Sequence, residues 1–242
     1  MRRRPADASP SEAAPRSRWR RVLNNPLVHL VAALLVLALV QAFFVKLYQV
    51  PSASMEQTLM PGDRLLVNRL AYVDADPQVG DIVVFERPDD WGDARPQRSA
   101  LRTAVGWFGD IFGFGPTNAD PLVKRIIAGP GQTLSCCDSL GRLVRDGQPI
   151  DEPYLGSDLG FEAGVLDCET GERSRRCFPT ITIPDDSYLV MGDNRANSSD
   201  GVSDCRAQEV AGSCARLVRR SDIVGEVVFV VLPFDRWGSP GG

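Results

Sequence analysis

From Pro26 to Val45 the chain runs for 20 residues without a charged side chain, through LVHLVAALLVLALVQAFFV. At about 1.5 Å per residue, a helix of that length matches the roughly 30 Å hydrocarbon core of a bilayer. The run therefore predicts one transmembrane helix, assigned to residues 25–46. A cleaved secretory leader has a shorter apolar core of about 7 to 15 residues, so a retained anchor is the expected form. Its flanks set the orientation. Residues 1–24 carry seven arginines against Asp7 and Glu12, and the positive-inside rule holds such a tail in the cytoplasm. The tail is too polar to bury a core, and its first ten to twenty residues are expected to be disordered. Residues 47–242 are then expected on the extracytoplasmic side of the cell membrane.

All six cysteines (Cys136, Cys137, Cys168, Cys177, Cys205, Cys214) follow the apolar run, in the compartment where disulfides persist. No C-x-x-C pair is present, and the single histidine, His29, lies inside the apolar run. Structural disulfides are therefore expected, and a metal site is not. Cys168 with Cys177 and Cys205 with Cys214 are the guessed pairs. The adjacent Cys136 and Cys137 can bond each other only with strain. Fifteen pairings of six cysteines stay open.

Gly (22) and Pro (18) are frequent, which favours short elements joined by turns. Apolar or β-branched stretches at Val50, 64–68, 81–85, 123–128, 180–183, 187–191 and 223–232 read as strands. The expected fold is mainly β: a twisted antiparallel catalytic domain with an inserted subdomain, preceded by the anchor helix. Two insertions interrupt it. Residues 88–120 place Leu101, Val105, Phe108, Ile111 and Phe112 at near-helical spacing, an amphipathic helix expected to pack on the core or touch the membrane surface. Residues 135–179 hold four cysteines and many charges, and read as a disulfide-stapled subdomain or long loop.

With no histidine outside the membrane run, neither a Ser-His-Asp triad nor a Cys-His pair can be built there. A serine can instead be activated by a neutral lysine, because an amine in an apolar site gives up its proton more easily than in water. Of the 27 basic residues only Lys46 and Lys124 are lysine, and arginine stays protonated at working pH. Lys46 marks the membrane edge as a snorkelling cation. Lys124, among Leu122, Val123, Ile126 and Ile127, is the remaining amine base.

Three segments carry a resemblance. Tyr48-Gln49-Val50-Pro51-Ser52-Ala53-Ser54-Met55, with Thr58-Leu59 and Gly62-Asp63-Arg64 after it, resembles the nucleophile region of bacterial type I signal peptidases. LVKRIIAGPG (122–131) resembles that family's lysine box, and MGDNRANSSD (191–200) its last signature. The resemblance implies a β-rich Ser/Lys endopeptidase that removes signal peptides from translocated preproteins, works at the bilayer, and needs no metal or cofactor. No nucleic acid is expected as a partner. It implies Ser54 as nucleophile, Lys124 as general base, and Ser52 as oxyanion-hole donor with the Ser54 N–H. Ser198 would steer the lysine, Arg125 and Asp193 would support the site, and Tyr48, Val50 and Val123 would line the pockets for small substrate side chains.

The chain departs from that pattern in places. Glu56-Gln57 follows the methionine where an apolar residue and proline are commoner, and Ala53 stands where glycine is frequent. Gly201-Val202 replace the serine and arginine usual after Asp200, so the arginine expected to pair with Asp200 is missing from its place, and Arg206 is the candidate substitute. Two other readings remain open on the sequence: a non-enzymatic membrane-anchored adaptor, and a relative of the self-cleaving Ser/Lys proteases.

Overall fold

A computed structural model describes residues 24–88, 91, 121–206 and 214–240. Its first element opens where the sequence provides a cap: the Asn25 side chain accepts the Leu27 N–H at 2.9 Å, and Pro26, which has no N–H to leave unpaired, takes the first turn. Helix α1 (Pro26–Phe43) has 18 residues, about 27 Å. It ends earlier than the span assigned to 25–46, because Val45 already pairs with Asn68 as β1 (Val45–Gln49) joins β2 (Arg64–Asn68). Among the described residues no helix is long and apolar enough to cross a membrane. The amphipathic stretch expected near 101–112, and the basic tail but for its last residue, lie outside the described residues.

The remainder is β. The strands are β3 (Ile82–Glu86), β4 (Pro121–Ala128), β5 (Thr133–Cys136), β6 (Leu143–Arg145), β7 (Gln148–Pro149), β8 (Phe178–Thr182), β9 (Ser187–Met191), β10 (Val218–Arg219) and β11 (Ile223–Leu232). One sheet has seven strands in the order β1-β2-β11-β3-β4-β9-β10, and a second has four in the order β7-β6-β5-β8. Every neighbouring pair is antiparallel.

The expectation of a mainly β, antiparallel fold holds. Val50, read as a strand, lies just past the end of β1, where its N–H is taken by the Asp63 carbonyl at 2.9 Å. The stretch expected at 180–183 falls in β8 except for Ile183, which lies just past its end, and the cysteine-rich insertion contains β6 and β7 with long irregular connections. Cys168 pairs with Cys177, Cys205 with Cys214, and Cys136 with its neighbour Cys137.

Strand β4 matters most for function. It lies between β3 and β9, with Lys124 opposite Val83 and Arg125 opposite both Ile82 and Met191. A strand flanked on both sides and buried from Val123 to Ala128 is the place where a polar side chain is most strongly desolvated.

Candidate active site

Ser54 sits in a single 3-10 turn (Ala53–Met55) just beyond β1. Met55 and Leu59 are buried in the apolar cluster of Leu65, Val67 and Val84, which fixes the turn from below. From above it is clamped by the last signature: the Asn194 N–H donates to the Ser54 carbonyl at 3.1 Å, and the Asn194 side-chain amide donates to the Ala53 carbonyl at 3.1 Å. Gly192 lies in the same seam. A Cβ there would stand 2.4 Å from the Ser54 carbonyl oxygen and 2.4 Å from Ser198 Oγ, so the backbones meet only because the residue is glycine. Gly192→Ala is expected to displace the nucleophile turn and lower kcat/KM on a preprotein on the order of a hundredfold, at a stability cost of about 1–3 kcal/mol.

Lys124 is 3% exposed, and its Nζ lies 2.5 Å from Ser54 Oγ. Burial pushes the amine down to about 8; Asp200 and then Asp193 oppose that shift, and Arg87 adds to it. A drop from 10.5 to about 8 means that the charged amine costs the fold about 3 kcal/mol. The cost is fully present below pH 8 and fades as pH rises toward the value of the unfolded chain. Lys124→Met, of similar shape and uncharged, is therefore expected to be more stable than wild type at pH 7 by denaturant titration, and the gain is expected to shrink between about pH 8 and 10.5.

Next to the amine on β4, Arg125 makes a two-pronged ion pair with Asp193 at 3.0 and 2.7 Å. Asp193 also accepts the Thr58 hydroxyl at 2.6 Å, while Arg125 donates to the Gly80 carbonyl at 2.9 Å and lies 4.0 Å from the Tyr154 ring centre. Arg195 forms a second buried ion pair with Glu152. These contacts bind the nucleophile region, the lysine strand, the last signature and the 152–154 stretch of the cysteine-rich insertion into one block.

The other expected site residues fall as follows. Ser52 Oγ donates to Ser54 Oγ at 3.4 Å. Ser198 stands beside Gly192, but its buried Oγ has no hydrogen-bond partner among the described residues, and the expected bond to Lys124 is not formed. Tyr48, Val50 and Val123 share one buried cluster. Asp200 is buried and paired with Arg206 at 3.1 Å.

Sequence reasoning did not single out Gly192, Asn194, Arg195, Glu152, Thr58 or Tyr154. The first three stood inside the quoted signature, and Thr58 followed the first box. Glu152 and Tyr154 carried no signal, since only the folded chain brings them to the site. Among the described residues the group close enough to share a metal ion is Cys137, Cys168 and Cys177, and each of these sulfurs is already in a disulfide.

Comparison with known proteins identifies the family. The family model described as signal peptidase, peptidase S26, matches residues 23–232. Signal peptidase I of Mycobacterium tuberculosis (strain ATCC 25618 / H37Rv) is 32% identical over 254 residues, covering 97% of this chain and 84% of that protein. Probable signal peptidase I-1 of Synechocystis sp. (strain ATCC 27184 / PCC 6803 / Kazusa) is 34% identical over 93% of this chain and 90% of its own. A crystal structure of a signal peptidase I from Enterococcus faecalis V583 aligns over 63% of this chain and 97% of its own, at 20% identity and a TM-score of 0.34, too distant to add to the assignment. On the family match and the sequence relatives, this chain belongs to the signal peptidase family, peptidase S26.

Proposed function

We propose that the protein is a serine endopeptidase that removes N-terminal signal peptides from translocated preproteins, with Ser54 as nucleophile and Lys124 as general base. The observation that carries this reading is the 2.5 Å approach of Lys124 Nζ to Ser54 Oγ, with both residues buried. An amine held near pKa 8 is partly neutral at physiological pH and can take the serine proton. Ser54 Oγ then bonds to the substrate carbonyl carbon as its proton passes to Lys124. The carbon–nitrogen bond breaks, the leaving amine takes that proton, and an acyl-enzyme remains. Water attacks the acyl carbon and gives a proton to Lys124; the bond from that carbon to Ser54 Oγ then breaks, and the departing Oγ takes the proton back from Lys124, which restores both residues.

Ser52, with the Ser54 N–H, is the proposed donor to the oxyanion, an interaction typically worth about 2.7–4 kcal/mol in the barrier. Ser198, which stands beside Gly192, would orient the amine once substrate is bound. Arg125 and Asp193 hold the lysine strand to the signature, and Tyr48, Val50 and Val123 form the apolar floor against which small substrate side chains would pack.

The membrane reading belongs with this one. On α1, Leu27, Leu35, Val36 and Leu39 are all more than half exposed, an arrangement suited to lipid and unsuited to water. Strand β1 starts two residues after α1 ends, and Ser54 follows five residues after β1, so an anchored helix keeps the nucleophile near the bilayer surface. Phe234 and Trp237, at the two ends of the 3-10 turn that follows β11, expose aromatic rings, as residues at a membrane interface do. The basic tail (1–24) would stay in the cytoplasm, residues 25–46 would form the anchor segment, and 47–242 the extracytoplasmic catalytic domain. Preproteins and the lipid bilayer are the proposed partners.

The test is cleavage of a preprotein by detergent-purified enzyme, with the product's new N-terminus sequenced. Wild type is expected to cut after a small-x-small pattern, whereas Ser54→Ala and Lys124→Ala are not. Cleavage by either variant, or none by folded wild type on several preproteins, contradicts the proposal.

A further inference from the structure

Asp200 is fully buried, and its carboxylate is a hazard to a lysine that must lose its proton. Of the charges around Lys124 it favours the protonated amine most strongly; Asp193 acts the same way but is already matched by Arg125, and Arg87 acts against both. What matches Asp200 is Arg206, whose guanidinium reaches both carboxylate oxygens at 3.2 and 3.1 Å with a side chain 8% exposed. The other donors hydrogen-bonded to the Asp200 carboxylate among the described residues are neutral: the Val202 N–H at 3.3 Å and the Ser203 hydroxyl at 3.2 Å. Arg195 lies within electrostatic range but is committed to Glu152.

Arg206 reaches Asp200 from a separately built support. Val202 and Cys205 are fully buried, and the 3-10 turn Ser203–Cys205 ends at Arg206. Cys205 is bonded to Cys214, and two residues beyond that bridge the Arg216 N–H donates to the Gly201 carbonyl at 2.8 Å. The bridge thus ties both arms of the loop beside the Asp200 carboxylate, and Arg206 is the next residue along from one of its sulfurs.

We propose that Arg206, pinned by the Cys205–Cys214 bridge, is a positioning residue that neutralises Asp200 and so keeps that carboxylate from holding a proton on Lys124, making the working pH of the Ser54–Lys124 pair depend on an intact bridge. The proposal rests on the Ser/Lys reading above. Opening the bridge takes a dithiol, small-molecule or protein, that gives up two electrons and two protons and leaves as its own disulfide, while Cys205 and Cys214 become thiols. Arg206 then loses its tether, and Asp200 is left with less compensation.

The chain has only two lysines, Lys46 and Lys124, so lysine labelled with carbon-13 at Cε gives two signals, and Lys124→Ala identifies which is which. Titrating the labelled full chain in detergent reads the amine without turnover. Arg206→Ala is expected to raise the Lys124 midpoint by roughly one pH unit, about tenfold less neutral amine at pH 7. Arg206→Lys should restore most of the shift, which a purely structural arginine would not require. Cys205→Ser/Cys214→Ser should move the midpoint in the same direction, and Asp200→Asn should lower it. An unmoved midpoint in folded Arg206→Ala overturns the proposal, as does an Asp200→Asn midpoint no lower than wild type should Arg206→Ala fail to fold. Preprotein cleavage by wild type with an unmoved midpoint removes this inference alone, whereas a shifted midpoint in an enzyme that cleaves nothing supports it and counts against the peptidase reading.

Discussion

Lys124→Arg is expected to lose at least about a thousandfold in kcat/KM on a preprotein, as much as Ser54→Ala. Arginine keeps the positive charge and nearly the length of lysine, but a guanidinium does not release its proton in the working range and cannot accept one from Ser54. Steady-state cleavage assays read the loss. Lys124→Met accompanies the pair, because it removes the base while relieving the burial cost; it should be equally inactive and no less stable. An active Lys124→Arg enzyme would mean that the short Nζ–Oγ contact has another purpose.

Asp193→Ala is expected to destabilise the protein by about 3–5 kcal/mol. Asp193 is fully buried, accepts two bonds from Arg125 and one from Thr58, and has its main-chain carbonyl bonded to the Gly156 N–H at 3.1 Å. Deleting the carboxylate strands the Arg125 guanidinium, which among the described residues keeps the Gly80 carbonyl and the Tyr154 ring. Denaturant titration measures the change, and the melting temperature should fall on the order of 10 °C. Arg125→Met/Asp193→Leu, which removes both charges and keeps apolar volume, should cost distinctly less. Equal costs would mean that the pair is no tighter than a surface bridge.

The parts legible in the sequence were those set by local pattern. β2, β9 and β11 have the bounds their apolar runs indicated, since alternation or continuous burial fixes a strand wherever both neighbours are present. Val50 misled, because a β-branched residue can be buried on a turn as well as on a strand. The short β6 and β7 were hidden by charges and glycines, and their pairing depends on the partner strand more than on their own composition. In the site, the near-absence of lysine and histidine picked out Lys124, and the three boxes picked out the serine. What the boxes left open was the support: Glu152 lies about forty residues before the Arg195 it pairs with, Tyr154 about thirty after the Arg125 whose guanidinium covers its ring, and no local pattern encodes such contacts. Arg206 could be named only as a candidate, because its pairing with Asp200 depends on how the intervening turn folds.

The most direct test of the central claim, that a buried neutral lysine activates Ser54, is the pH dependence of kcat/KM for preprotein cleavage between about pH 6 and 10. The lysine must be deprotonated to act, so the rate should rise with pH through a single limb centred near the Lys124 value of about 8. A limb centred near 10, where an unperturbed lysine titrates, or the same limb in residual Lys124→Met activity, would contradict the account.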